Sequence, residues 1–382
     1  MINYGRQSIT RQDIECVIGV LESDFLTQGP QVNAFEAELS SATQSKYSTA
    51  VNSATAALHL ALLSLGVEPG DRVWVPAISF VATANTVLMC GAEIEFLDVY
   101  PDTGNIDVQK LEEKLSSTPG PAKPKVIVAV HMAGTPCDMS VIKRLADKYD
   151  IKVLEDASHA LGAEYSSKKV GSCEFSDVSV FSFHPVKMIT TGEGGALTTN
   201  DADLSRLSKI YRSHGIDRDR VWGDKKNWEY DQTSIGYNYR MPDFNAALGR
   251  SQLKKLDAFV GKRNNIASTY NKFFEKLNVK TQHIDEECKS SFHLYVIFLD
   301  CADERQELYE TFKQYDINTQ IHYRPIYQNS FYRNNGFSDV SLPGAEMYYS
   351  RCLSLPIFYD MEDAQINYVQ TVFYDWLRSI RK

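Results

Sequence analysis

Between about residue 50 and residue 200, short apolar runs alternate with longer helical patterns, and this rhythm constrains the fold more than any other feature of the chain. The runs are Arg72–Pro76, Glu93–Asp98, Val126–His131, Lys152–Asp156, Val178–Phe183 and Gly195–Thr199. They are β-branched and close to continuously hydrophobic, as expected of strands that helices cover on both faces of an α/β sheet. Thr55–Leu65 carries Ala56, Leu60 and Leu63 at helical spacing, and Val141–Tyr149 puts Ile142, Leu145 and Ala146 on one face. In such a sheet ligand groups are expected at the strand ends.

A chain of 382 residues exceeds one core of ordinary size, so a large domain over 1–250, with an N-terminal arm over 1–30, and a smaller α+β domain over 251–382 are expected. Residues 243–275 read as mostly helical, Phe292–Asp300 as a strand and Asp303–Gln314 as a helix. Ser116–Lys125, with three prolines and a glycine, reads as a surface loop, and Thr103–Asn105 as a turn. No internal repeat or low-complexity tract is present.

The net charge of -9 argues against a protein that grips nucleic acid, which needs a basic stripe. A small phosphorylated ligand stays compatible, because helix N-termini hold phosphate without overall positive charge. The seven cysteines are scattered and never form C-x-x-C, which fits reduced thiols, a cytoplasmic location and no zinc site. No apolar run approaches membrane-spanning length, so no membrane partner is expected.

Four segments carry candidate chemistry. In Val178–Ala196 a buried strand runs into a polar turn with Lys187 and then a glycine-rich bend. A lysine just beyond a strand end, in a partly dry pocket, can act as an amine nucleophile, although an ordinary exposed lysine fits the segment equally well. In Val153–Gly162 the carboxylate of Asp156 falls at a strand end, where it could keep a heterocyclic nitrogen protonated or merely cap a following helix. Ser53 and Thr55 open a strong helix, either as an anion site or as plain capping residues. Phe80, in a loop after Arg72–Val75, could stack on a flat ring or fill the core.

Taken in order, these segments resemble the sugar aminotransferases of the DegT/DnrJ/EryC1/StrS group. The likeness runs through Ser23-Asp-Phe-Leu-Thr-Gln-Gly-Pro, Ser53-Ala-Thr, Pro76-Ala-Ile-Ser-Phe-Val-Ala-Thr-Ala-Asn and Glu155-Asp-Ala-Ser-His-Ala-Leu-Gly-Ala. It continues in Ser182-Phe-His-Pro-Val-Lys, Gly236-Tyr-Asn-Tyr-Arg-Met and Ile321-His-Tyr-Arg-Pro-Ile. The resemblance implies the fold type I of pyridoxal-phosphate-dependent transferases, with a mostly parallel seven-stranded sheet between helices. It implies that Lys187 bears the cofactor, that Asp156 pairs with its pyridine nitrogen and that Phe80 stacks on its ring. Ser53, Ala54, Thr55 and Ser182 would lie at its phosphate, and His159 beside its ring oxygen. Ala54 replaces the glycine common in relatives, a mild change because the backbone N–H survives. Asn238 matches a residue that reaches the cofactor of a neighbouring subunit, which implies a homodimer with shared sites. Some members carry histidine in place of the lysine and eliminate water; this chain has Lys187.

Within the group, residues 23–30, Phe183-His-Pro-Val-Lys and Thr190-Thr-Gly-Glu-Gly-Gly are most similar to the branch acting in pseudaminic acid biosynthesis. That implies a UDP-linked 2-acetamido-2,6-dideoxy-4-ketohexose as substrate, aminated at C4 with glutamate as donor; another UDP- or dTDP-linked 4-ketosugar is the alternative. Candidate substrate contacts are Tyr4, Arg6, His184, Asn238, His322 and Tyr323, with Arg240 for the donor carboxylate. A nicotinamide-dependent dehydrogenase lacks its G-x-G-x-x-G, and a P-loop kinase its G-x-x-x-x-G-K-[ST]. A non-catalytic cofactor-binding regulator would need a DNA-binding module for which no spare segment exists.

Overall fold

The computed structural model describes residues 1–217 and 228–381. Seven strands form the central sheet: β1 (Tyr47–Val51), β2 (Arg72–Pro76), β3 (Glu93–Leu97), β4 (Val126–Val130), β5 (Lys152–Asp156), β6 (Val178–Ser182) and β7 (Gly195–Thr199). Their spatial order is β1-β7-β6-β5-β4-β2-β3. Pairings from β6 across to β3 are parallel, and β7 runs antiparallel to both neighbours. Six of the seven strands coincide with the apolar runs read from the sequence. The seventh, β1, is Tyr-Ser-Thr-Ala-Val, too polar at its start to stand out as such a run.

Side-chain alternation along these strands feeds two cores at once. Val73, Val75, Val126, Val128, Leu154 and Val180 pack on one face with the helix Ala54–Ser64. Trp74, Ile127, Ala129 and Val153 pack on the other with the helices Val108–Ser117 and Met139–Tyr149. Backbone polar groups are consumed by the ladder and both faces are filled with hydrocarbon, so functional side chains have room only at the strand ends.

The helical stretch beyond 243 is two helices, Asp243–Leu253 and Leu256–Lys276, separated at Lys254–Lys255. The strand expected over Phe292–Asp300 is shorter: β9 (Tyr295–Phe298) lies between β8 (Lys280–Thr281) and β10 (Cys352–Leu355). The lost residues make tertiary bonds instead, with Leu294 N–H on the Ala133 carbonyl and Leu299 N–H on that of Arg351. This sheet, the helix Leu256–Lys276 and the helix Asp363–Ile380 enclose a separate core containing Phe274, Phe312, Phe373 and Trp376, into which Ile2 also packs. Ile2 and Ile317 form a parallel bridge, so the first residues of the chain are tied to its C-terminal part. Among the described residues no helix is long and apolar enough to cross a membrane.

One carboxylate ties the C-terminal region to the large sheet. Asp98, buried just past β3, accepts from the N–H groups of Gly344 (3.1 Å) and Ala345 (2.8 Å), in the first turn of the helix Pro343–Arg351. It also accepts from Val99 N–H at 2.9 Å and from Lys110 Nζ at 2.6 Å. Burial alone would raise the Asp98 pKa, but Lys110 and the three N–H groups outweigh it and hold the carboxyl below its usual range. A carboxyl depressed on folding stabilises above its unfolded pKa of about 4 and loses that contribution as pH falls through the folded value. Asp98→Ala is therefore expected to lower the unfolding free energy by about 2–3 kcal/mol at neutral pH. The deficit should shrink in acid below pH of about 4. Urea melts at the two pH values check this, and a neutral-pH midpoint equal to wild type would contradict it.

Candidate active site

The carboxyl ends of β1, β2, β4, β5 and β6, with the amino end of antiparallel β7, face one cavity of about 700 Å3. Its wall includes Tyr4, Ser53, Ala54, Thr55, Phe80, Asp156, His159, Ser182, His184, Lys187, His322 and Tyr323. Residues separated by up to about 320 positions are thus brought together because each follows a strand end or a segment packed against one.

At one end of the cavity the helix Ala54–Ser64 presents its N-terminus. Ser53 serves as its N-cap, accepting from Ala56 N–H at 3.1 Å, while the N–H groups of Ala54 and Thr55 lie in the first turn, where no intrahelical acceptor exists. Gly195 opens β7 directly behind this turn, and a Cβ there would stand 2.5 Å from the Ala54 nitrogen. Ser53 thus acts as the cap, and capping does not compete with an anion site, because the N–H groups of Ala54 and Thr55, with the nearby Ser182 hydroxyl, stay available to an anion.

Asp156 lies at the end of β5, buried. Its Oδ2 accepts from Thr83 Oγ1 at 2.7 Å, its Oδ1 accepts from Ser158 N–H at 3.2 Å, and Ser79 pairs with Thr83 at 2.7 Å. No helix follows Asp156, so it caps none; the chain turns instead toward Glu164. Phe80 is 58% exposed, which removes the core reading, and its ring stands 6.2 Å from that of Tyr323.

Lys187 is half-buried in the polar turn after β6, its backbone N–H held by the His184 carbonyl at 2.8 Å. Desolvation lowers its pKa to about 8, against the opposing pull of Asp156. Three imidazoles adjoin it. His293 Nε2 is 3.4 Å from Nζ, and the His159 ring lies 4.4 Å from the His293 ring, tilted by 46°. His322, with Nδ1 2.9 Å from Ser354 Oγ, completes the group. Burial and then the Lys187 charge push His159 and His293 well below the usual histidine pKa and His322 down to about 3, so all three are neutral at physiological pH. The Tyr323 hydroxyl meets His159 Nε2 at 3.3 Å, and His159 Nδ1 is buried without a partner among the described residues.

These groups suit a flat anionic cofactor with an electrophilic carbon: N–H donors for a phosphate, a carboxylate for a ring nitrogen, an exposed aromatic face, an unpartnered imidazole nitrogen for a ring oxygen, and a desolvated amine. Tyr4 and His184 also line the cavity, Tyr4 with its ring 5.4 Å from His322. Arg6, expected at the substrate, is directed elsewhere, pairing with Asp360 at 3.8 Å and lying over the Phe358 ring. Asn238 is exposed outside its own cavity, its carbonyl 3.5 Å from Asn52 Nδ2. Arg240, bridged through its backbone to Val51, does not line the cavity either; Arg324 does. Thr83, His293 and Arg324 were not singled out in the sequence. Arg324 and Thr83 lie within resembling segments, whereas nothing marks a histidine before a buried strand as a neighbour of Lys187.

The profile described as the DegT/DnrJ/EryC1/StrS aminotransferase family matches residues 7–373. A UDP-4-amino-4,6-dideoxy-N-acetyl-beta-L-altrosamine transaminase of Campylobacter jejuni is 41% identical, over 100% of this chain and 99% of its own. Among solved structures, Helicobacter pylori PseC, an aminotransferase involved in the biosynthesis of pseudoaminic acid, superimposes with a TM-score of 0.91 at 35% identity, covering 99% of each chain. Spr1654 of Streptococcus pneumoniae in its PLP form gives 0.91 at 29% identity, again over 99% of each. The chain thus belongs to the DegT/DnrJ/EryC1/StrS aminotransferase family and is a pyridoxal-phosphate-dependent sugar aminotransferase.

Proposed function

We propose that this enzyme transfers the amino group of glutamate to C4 of a UDP-linked 2-acetamido-2,6-dideoxy-4-ketohexose, a reading supported by two relatives from Campylobacter jejuni named as UDP-4-amino-4,6-dideoxy-N-acetyl-beta-L-altrosamine transaminase. The observation that carries the reading is the desolvated Lys187 amine facing Asp156 in a cavity of about 700 Å3, which has room for a sugar beside the cofactor. Bound pyridoxal phosphate supplies the electron sink of the reaction. Asp156, positioned by Thr83 and Ser158 N–H, keeps the ring nitrogen protonated. The N–H groups of Ala54 and Thr55 and the Ser182 hydroxyl would hold the phosphate, Phe80 would offer its face to the ring and His159 Nδ1 would serve the ring oxygen. Lys187, with a pKa near 8, is uncharged often enough at neutral pH to anchor the cofactor and then to take and return a proton at Nζ.

Arg324 and Lys187 are the two cationic side chains on the cavity wall, and Arg324 is exposed with no ion pair among the described residues. A free guanidinium at the mouth of an acidic protein fits the diphosphate of a nucleotide sugar, whose reacting carbon must sit deep at Lys187. Asn238 outside its own cavity, and the exposed Ile14, Ile18, Leu21, Phe25 and Leu26 near the N-terminus, support a homodimer in which a second copy covers this apolar strip and receives Asn238.

Absorbance of the holoenzyme tests the reaction. The visible band should fade on adding glutamate and return with the UDP-ketosugar, and Lys187→Ala should support neither change. A band that fades with glutamate but returns only with a different nucleotide ketosugar would overturn the substrate assignment. Arg324→Ala is expected to raise the KM for the nucleotide sugar by about tenfold or more while leaving the glutamate half-reaction within about twofold. A glutamate half-reaction slowed to the same degree would transfer Arg324 to the donor carboxylate.

A further inference from the structure

His293 touches Lys187 but is not among the residues that line the cavity, so it approaches the amine from the protein side while the ligand side stays open. Its placement is rigid. Arg263 Nη1 donates to the carbonyls of Phe292 (3.1 Å), His293 (3.2 Å) and Ile357 (2.9 Å). Ser291 Oγ donates to the His159 carbonyl at 2.9 Å, and Ser291 N–H to that of Gly134 at 3.1 Å. Gly134, at φ +96, lets the two segments close; a Cβ there would stand 2.4 Å from Ser291 Oγ and 3.1 Å from His293 N.

The hydrogen-bond inventory around the ring decides which nitrogen carries its hydrogen. Among the described residues His293 Nδ1 is buried without a partner, and the one hydrogen-bonding neighbour at the other nitrogen is Lys187 Nζ. A buried N–H left without an acceptor costs more than a bare lone pair, so the hydrogen belongs on Nε2. An Nε2–H can pair only with the lone pair of an uncharged amine. We propose that His293 is a positioning residue that donates Nε2–H to the lone pair of the Lys187 amine, holding that amine uncharged and in place whenever it is free of the cofactor. The other groups facing the amine are Asp156, which favours its charged form, the neutral His159 and His322, and Arg263 behind His293. Thus His293 opposes Asp156 with a directional bond where burial supplies only a general bias. The proposal rests on Lys187 being the anchor.

The test reads capture of pyridoxal phosphate by the apoenzyme, in which the Lys187 amine condenses with the cofactor aldehyde and releases water. The rate is followed across pH by growth of the visible band, and the attachment site by mass spectrometry after borohydride reduction. In wild type the rate should be half-maximal below about pH 8, the value that burial sets against Asp156 without any contribution from His293. His293→Phe, which keeps a ring but no donor, should move the midpoint up by about one pH unit. His293→Gln, whose amide N–H reaches toward the Nε2 position, should restore it. Should the Phe protein fail to fold, His293→Asn, too short to reach Nζ, is expected to show the same upward shift. A midpoint in the donor-less variant that stays in place or moves down would overturn the proposal. Reduced cofactor attached to a lysine other than Lys187 in wild type would instead remove the anchor reading, a separate and distinguishable failure.

Discussion

Desolvation of a single amine organises this molecule. Lysine in water holds its proton to a pKa of about 10.4 and is useless as a nucleophile at neutral pH. Removing Lys187 from water requires a wall on every side except the one a ligand enters, and that wall is built from elements far apart in sequence. The sheet provides its floor because both faces are filled mostly with hydrocarbon, and the polar side chains that reach the cavity lie where strands end. Asp156, Ser182, the Ser53–Thr55 turn and the loop carrying Phe80 all occupy such ends. The C-terminal part closes the wall with His293, His322 and Tyr323.

Electrostatically the cavity has two poles. The helix N-terminus at Ala54 and Thr55 favours an anion, and Asp156 favours a cation. Between them the surroundings of the amine are neutral: burial keeps three histidines uncharged beside Lys187, so none repels a cationic reaction partner. On the far face of the sheet, one residue before Asp156, Glu155 is fixed by His131 Nε2 at 2.7 Å and by Ser179 at 2.9 Å. That buried pair makes the end of β5 rigid where Asp156 must be placed accurately.

Much of this was legible in the sequence, for identifiable reasons. Strands buried on both faces read as unbroken hydrophobic runs, and six of seven were visible as such; Tyr47–Val51 was not, because it carries polar Ser48 and Thr49, satisfied by tertiary partners, the Glu36 carbonyl of the preceding helix and the distant Ser208. Lys187, Asp156, Phe80 and the Ser53 turn were visible because each sits just beyond a strand or at a helix start. Contacts made across the fold were hidden. Arg6 appeared close to the site along the N-terminal arm, but Asp360 and Phe358 draw it away. His293 lies 106 residues from Lys187, and only packing of the segment before β9 against the Gly134 turn brings them together.

Net transfer of nitrogen onto the sugar tests the account most directly. The holoenzyme would be incubated with 15N-glutamate and the UDP-linked 2-acetamido-2,6-dideoxy-4-ketohexose, and the sugar product examined by NMR. The account predicts one 15N atom bonded to C4, with 2-oxoglutarate formed in equal amount. Recovery of the ketosugar without 15N, from an enzyme that has bound its cofactor on Lys187 and reacted with glutamate, would contradict it.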